Sequence, residues 1–152
     1  MKLYYAPGAC SLADHIALDE AGLTFEYERV DLKTTASGAD FTGINPKGYV
    51  PALVLDSGKT IAENVAVLDW IGAQSPSVSL SEPLGRTCLL EALAYISSEV
   101  HKSFHPFFTG GTEAEKAGAK RCCSGGRSCW QARCGATICS AVGRRSPTTP
   151  CL

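Results

Sequence analysis

The sequence predicts an α/β domain at the N-terminus followed by an all-α domain that is not completed, and three observations predict it. From Met1 to about Gln74, short apolar strands alternate with amphipathic helical runs. Between Pro51 and Ala62, two apolar runs flank Ser57-Gly58, the signature of a β-hairpin with a two-residue turn. From Gly85 to Phe108, Leu89, Leu90, Leu93, Ile96 and Val100 recur at helical spacing, and the apolar periodicity then stops near residue 119.

Taken in order, Lys2 to Tyr5 reads as a first strand, and Pro7-Gly8 as the turn that leaves it. A helix from about Ser11 to Ala21 follows, with Leu12, Ile16, Ala17 and Leu18 on or near one face, and Gly22 ends it. Phe25 to Leu32 alternates as a second strand, parallel to the first because a helical crossover joins them. Thr34 to Asn45 is expected as a loop with at most a short helix. The hairpin comes next, and then Val65, Leu68, Trp70 and Ile71 mark the apolar side of a closing helix. A βαβ unit followed by a hairpin and a closing helix is an α/β domain of the thioredoxin type, here residues 1–76. Pro76, Ser77 and Pro83 mark a linker. Residues 84–119 open the helical domain, where Thr112 and Glu115 have the spacing of a capping box.

Composition bounds the function. With 152 residues and 45% hydrophobic content the chain can bury a real core. A formal net charge of -1 calls for neither nucleic acid nor an acidic membrane surface as partner. No run approaches the roughly 18 apolar residues of a membrane span, and no signal segment precedes the first strand, so a cytoplasmic setting is expected. Eight cysteines would suit a secreted disulfide scaffold, yet only Cys10 and Cys88 lie in the first 120 residues. Cys122, Cys123, Cys129, Cys134, Cys139 and Cys151 crowd the tail together with Arg121, Arg127, Arg133, Arg144 and Arg145, and no acidic residue follows Glu115.

Cys10 is the candidate with the clearest chemistry. It stands between the turn and the start of the first helix, where unpaired N–H groups and the positive dipole end favour a thiolate. A small buried apolar cysteine would occupy the same place.

Three strings in order, MKLYYAPGACSL, INPKGYVPALVLDSGKTIAEN and SSEVHKSFHPFF, make residues 1 to about 119 resemble a bacterial glutathione S-transferase of the beta class, which has a cysteine active site. The resemblance implies a thioredoxin-like domain followed by a helical one, and a homodimer. It implies glutathione as co-substrate with no metal, and transfer of glutathione to small hydrophobic electrophiles. It implies Cys10 as the thiol that forms a mixed disulfide with glutathione. Val50 and Pro51 match the cis-proline turn that pairs with the cysteinyl backbone of the peptide. Glu63 and Asn64 match the pair that takes the γ-glutamyl ammonium and carboxylate. His101 matches a residue that hydrogen-bonds the sulfur, and Lys102 one that adds positive potential. Lys33 is matched to the contact with the glycyl carboxylate. An Asn of the family's second domain is replaced by Ala94. A single Cys10 followed by Ser11, in place of C-x-x-C, favours monothiol exchange over dithiol oxidation.

The remaining helices of the family's second domain have no counterpart in residues 120–152, so the face of Leu89, Leu93 and Ile96 is expected to be partly open. The tail is expected to be disordered or poorly packed, because it has few large apolar residues and no repeat, and to be out of frame, because the degeneracy of its codons permits a hidden frame resembling the family's capping-box region. That origin, with no C-x-x-C pair and no tail histidine, argues against zinc binding, and it accounts for the arginines without RNA. Two other readings stay open: a glutathione-binding remnant without useful turnover, and a glutaredoxin-like monothiol exchanger that needs only the first domain.

Overall fold

The apolar strand Lys2–Tyr5 (β1) forms the centre of the sheet, because alternate residues along it have apolar partners on both faces. The computed structural model describes residues 1–76 and 84–121. They divide into two compact units, Met1–Glu91 and a second beginning at Ala92.

In the first unit β1 is followed by helix α1 (Ser11–Glu20) and strand β2 (Glu26–Asp31). Strands β1 and β2 run parallel, with Leu3 opposite Tyr27. A two-residue strand β3 (Thr34–Thr35) turns back on β2 through Leu32 and Lys33. The hairpin of β4 (Ala52–Val54) and β5 (Thr60–Ala62) joins the other side, giving the order β3-β2-β1-β4-β5. Helix α2 (Asn64–Gln74) closes the domain. The expected thioredoxin-like arrangement is therefore present.

The register sorts the core by face. Leu3 pairs with Leu53 and Tyr4 with Ala52 across β1 and β4. One face joins Leu3 and Leu53 to Leu18 of α1 and to Val67 and Ile71 of α2, all fully or almost fully buried. The other joins Tyr4, Ala52 and Val30 to Phe41 of a single 3-10 turn, Phe41–Gly43. Each such aliphatic side chain contributes about 1.5–3 kcal/mol by leaving water.

Three expectations change. Leu12 and Ile16 are exposed, at 60% and 50%, whereas Ser11, Asp14 and Leu18 are enclosed. These positions have the same helical spacing on a different face, and its first turn is lined by polar groups. In α2 the fully buried residues are Val67 and Ile71, and Val65, Leu68 and Trp70 are partly buried. The segment expected as loop from Thr34 contains β3, which is too short to show alternation but still bonds to the edge of β2.

Helix α3 (Gly85–Tyr95) starts within the first unit, where Arg86 grips both oxygens of Asp69 at 2.9 and 2.8 Å. Its helical course continues as a π-helical stretch, Ile96–Val100. In the second unit lie the short helices α4 (His101–Ser103) and α5 (His105–Phe108), and a helix α6 over 113–121. The expected capping box is formed: the Thr112 N–H donates to Glu115 Oε2 at 2.7 Å and the Glu115 N–H to Thr112 Oγ1 at 3.3 Å. Of the helical face expected to be open, Leu89 and Leu93 are half-buried and Ile96 is exposed. The expectations for the tail beyond residue 121 lie outside the described residues.

Candidate active site at two helix starts

The site begins where β1 ends. After Tyr5 the chain turns through Pro7 and Gly8, whose φ of +74° suits glycine. Ser11, fully buried, ties the turn shut: its hydroxyl accepts from the Ala6 N–H at 3.3 Å and donates to the Ala6 carbonyl at 3.4 Å. Cys10 is thereby held at the N-cap of α1, half-buried and outside any disulfide.

The thiol does not behave as its position suggests. Its pKa is raised, first by burial and next by the charge of Asp14, with Glu63 adding to the rise. Its own N–H and that of Ser11 pull the other way and lose. The expected helix-end thiolate is thus corrected for the protein without ligand: desolvation and two carboxylates outweigh the helix terminus.

Asp14, in the first turn of α1, is completely buried, and burial lifts its pKa to about 7 against the opposing hydrogen bond from Asn64. Asn64, the first residue of α2, donates from Nδ2 to both Asp14 oxygens at 3.0 Å and to the Cys10 carbonyl at 3.2 Å. Its side chain is therefore turned toward α1.

Glu63, at the N-cap of α2, has a φ of +75°, a conformation that costs a non-glycine residue about 1–3 kcal/mol. Its half-exposed carboxylate makes no capping hydrogen bond to the helix. Lys47 holds that carboxylate at 2.5 Å.

Before β4 the Val50–Pro51 peptide is cis, as the resemblance implies. The Val50 main chain lies outside the ladder, which starts at Ala52. Buried Asn45 fixes this loop, donating from Nδ2 to the Tyr49 carbonyl at 2.7 Å and accepting the Lys47 N–H at 3.2 Å. Lys33, on the turn between β2 and β3, reaches over the same loop: a Cβ on Gly48 would lie 3.7 Å from its Cε. Its charge also helps hold the Asp40 carboxyl below the usual range, after the Thr42 hydrogen bonds.

Cys10, Glu63 and Asn64 are thus brought together, and Lys33 stands beside the loop that leads to Val50 and Pro51. His101 and Lys102 belong to the second unit, where both are exposed and line an open recess with His105 and Phe108. Sequence reasoning passed over Asp14, Asn45 and Lys47. The first reads as an ordinary acidic residue near a helix start, and the other two stand in the NPKG string with no local sign of their partners. Among the described residues no cluster of three or more metal-ligating side chains occurs.

Residues 9–74 match the family model described as glutathione S-transferase, N-terminal domain. A protein of Escherichia coli O157:H7 named glutathione S-transferase GstA is 44% identical over 120 residues, which are 76% of this chain and 60% of the relative. A crystal structure of a glutathione transferase from Methylococcus capsulatus strain Bath is similar at 48% identity and a TM-score of 0.80, covering 95% of this chain and 74% of that one. A sphingomonad glutathione S-transferase, solved in complex with glutathione, is 42% identical with a TM-score of 0.76 and covers 89% and 70%. The chain therefore spans about 60% of the length of its curated Escherichia coli relative.

Proposed function

Because the chain belongs to the glutathione S-transferase family, we propose that it binds glutathione across the starts of α1 and α2 and transfers it to small hydrophobic electrophiles. The observation that carries this reading is Glu63. Its unusual backbone stands at the N-cap of α2, with a carboxylate that does not cap the helix, so that the acid and the helix start together can receive the ammonium and carboxylate of one amino-acid head group. The γ-glutamyl end of glutathione has that head group. Val50, whose main chain is outside the ladder, then pairs with the cysteinyl backbone in the manner of an added strand. Lys33 takes the glycyl carboxylate, and the peptide's sulfur lies at Cys10. For His101 and Lys102 the support is the family resemblance alone: a hydrogen bond to the sulfur and positive potential.

In conjugation the glutathione thiolate forms a C–S bond with the electrophilic carbon, a leaving group such as chloride departs with the bonding pair, and the thiol proton goes to solvent. Exchange through Cys10 is the second activity. The Cys10 thiolate attacks the glutathionyl sulfur of a mixed disulfide and releases the partner thiolate, and a second glutathione restores Cys10 with formation of oxidised glutathione. Family membership also supports a homodimer.

Calorimetric titration with glutathione, paired with turnover of a chlorodinitrobenzene-type electrophile, tests the reading. Binding with turnover is expected. Absence of binding overturns it, and binding without turnover moves the chain to a glutathione-binding role. Deglutathionylation that survives Cys10→Ala removes the exchange activity.

A further inference from the structure

One buried ionisable side chain is not among the groups proposed to touch glutathione. Asp14 lies four residues after Cys10 on α1 and is fully enclosed. An acidic residue in a first helical turn ordinarily faces water, where it complements the dipole at little expense. Here the carboxyl is taken out of water, which an apolar side chain of the same size would avoid.

Its surroundings show what the carboxyl adds. The Asn64 amide, fifty residues away in the chain, meets the two Asp14 oxygens and the Cys10 carbonyl. All three are acceptors when Asp14 is ionised, so the amide nitrogen is the end that satisfies them. One amide group thus ties the first residue of α2 to the N-cap residue of α1. The same residue of α2 follows Glu63, so the tie joins the thiol end of the site to its head-group end.

We infer that Asp14 is a positioning residue for Cys10: it anchors the Asn64 amide that holds the starts of α1 and α2 together, and its charge opposes the positive end of α1 at the sulfur. The raised thiol pKa agrees, with Asp14 second only to burial among its causes. The other carboxylate that bears on the thiol is Glu63 of the facing helix start, itself paired with Lys47. In catalysis the inference rests on the role proposed for Cys10, but its test in the free protein does not.

The experiment is alkylation of Cys10 by iodoacetamide across a pH series, read from the mass of the Cys10 peptide so that the other cysteines do not interfere. Asp14→Asn keeps the size and an acceptor for Asn64 but removes the charge. Its expected effect is a pH midpoint below that of the wild type and a several-fold faster alkylation above about pH 8, where Asp14 is ionised, shrinking to about two-fold or less at neutral pH. Asp14→Ala removes the anchor as well, and weakens glutathione binding more than Asp14→Asn does. Asp14→Ser, smaller and equally neutral, supplies the alkylation test should circular dichroism show Asp14→Asn unfolded. An unchanged midpoint in a folded neutral variant overturns the inference. Alkylation needs no glutathione, so failure of the wild type to bind glutathione counts against the proposed function and leaves this test intact.

Discussion

Helices α1 and α2 start side by side, and each presents a polar residue at its N-cap, yet the two starts are electrically unlike. At α1 the N-cap is an uncharged thiol with a buried carboxyl one turn behind it. At α2 the N-cap is a half-exposed carboxylate with a lysine in front of it, and its backbone, at φ +75°, is held where only glycine is comfortable. A helix N-terminus favours negative charge in both cases. The difference shows that the dipole is one contribution among several: burial and Asp14 override it at Cys10, and at Glu63 the charge stays in contact with solvent and a counter-ion.

The largest effect expected from breaking this contrast is at the thiol. Cys10→Ala removes the only sulfur at either helix start and is expected to abolish deglutathionylation while leaving glutathione retention on resin measurable.

Next is Asp14, through the pH dependence of stability. A carboxyl with a folded pKa of about 7 against an ordinary value of 3.8 binds more protons in the folded state than in the unfolded one. Stability from this group is therefore greatest in acid and declines as pH rises from about 4 through about 7, by at most ~4 kcal/mol. Thermal melts of wild type and Asp14→Asn at about pH 5 and about pH 8 check it. The difference between them shifts in favour of the variant at the higher pH, and a pH-independent difference contradicts the assignment.

Glu63 sharpens the comparison in a smaller way, because stability and binding are expected to move in opposite directions. Glu63→Gly relieves the backbone and is expected to stabilise the fold by about 1 kcal/mol, less the entropy that glycine restores to the unfolded chain. Calorimetry is expected to show weaker glutathione binding by the same variant. Smallest is Lys47→Ala, which removes an exposed ion pair. It is expected to leave the melting temperature almost unchanged, and a large loss would mean that the pair, and not the backbone, places Glu63.

Much of the framework was legible because its causes are local. Ser57-Gly58 between two apolar runs marks the hairpin, although its turn takes three residues, Asp56 to Gly58, where two were expected; Gly22 stops a helix by adopting a φ of +68°, and Thr112 with Glu115 closes a capping box within one turn. The candidate site was legible only by resemblance, since Val50, Pro51, Glu63 and Asn64 carry no local mark of their use. Leu12 and Ile16 misled for a physical reason. Several apolar residues on a short helix define more than one possible stripe, and the sheet selects the one that contains Leu18.

By itself, then, the sequence determined the main strands and helices of the first domain and that β1 and β2 run parallel, because propensity, turn chemistry and crossover length act over a few residues. Tertiary structure alone decided that α1 buries Ser11 and Asp14, that two residues after Lys33 join the sheet, and that Asn64 faces Asp14 and Cys10 across fifty residues of chain. Hence it also decided the direction in which the Cys10 pKa moves. A pKa depends on the water excluded and the charges gathered around a group, and both are set only when distant segments pack.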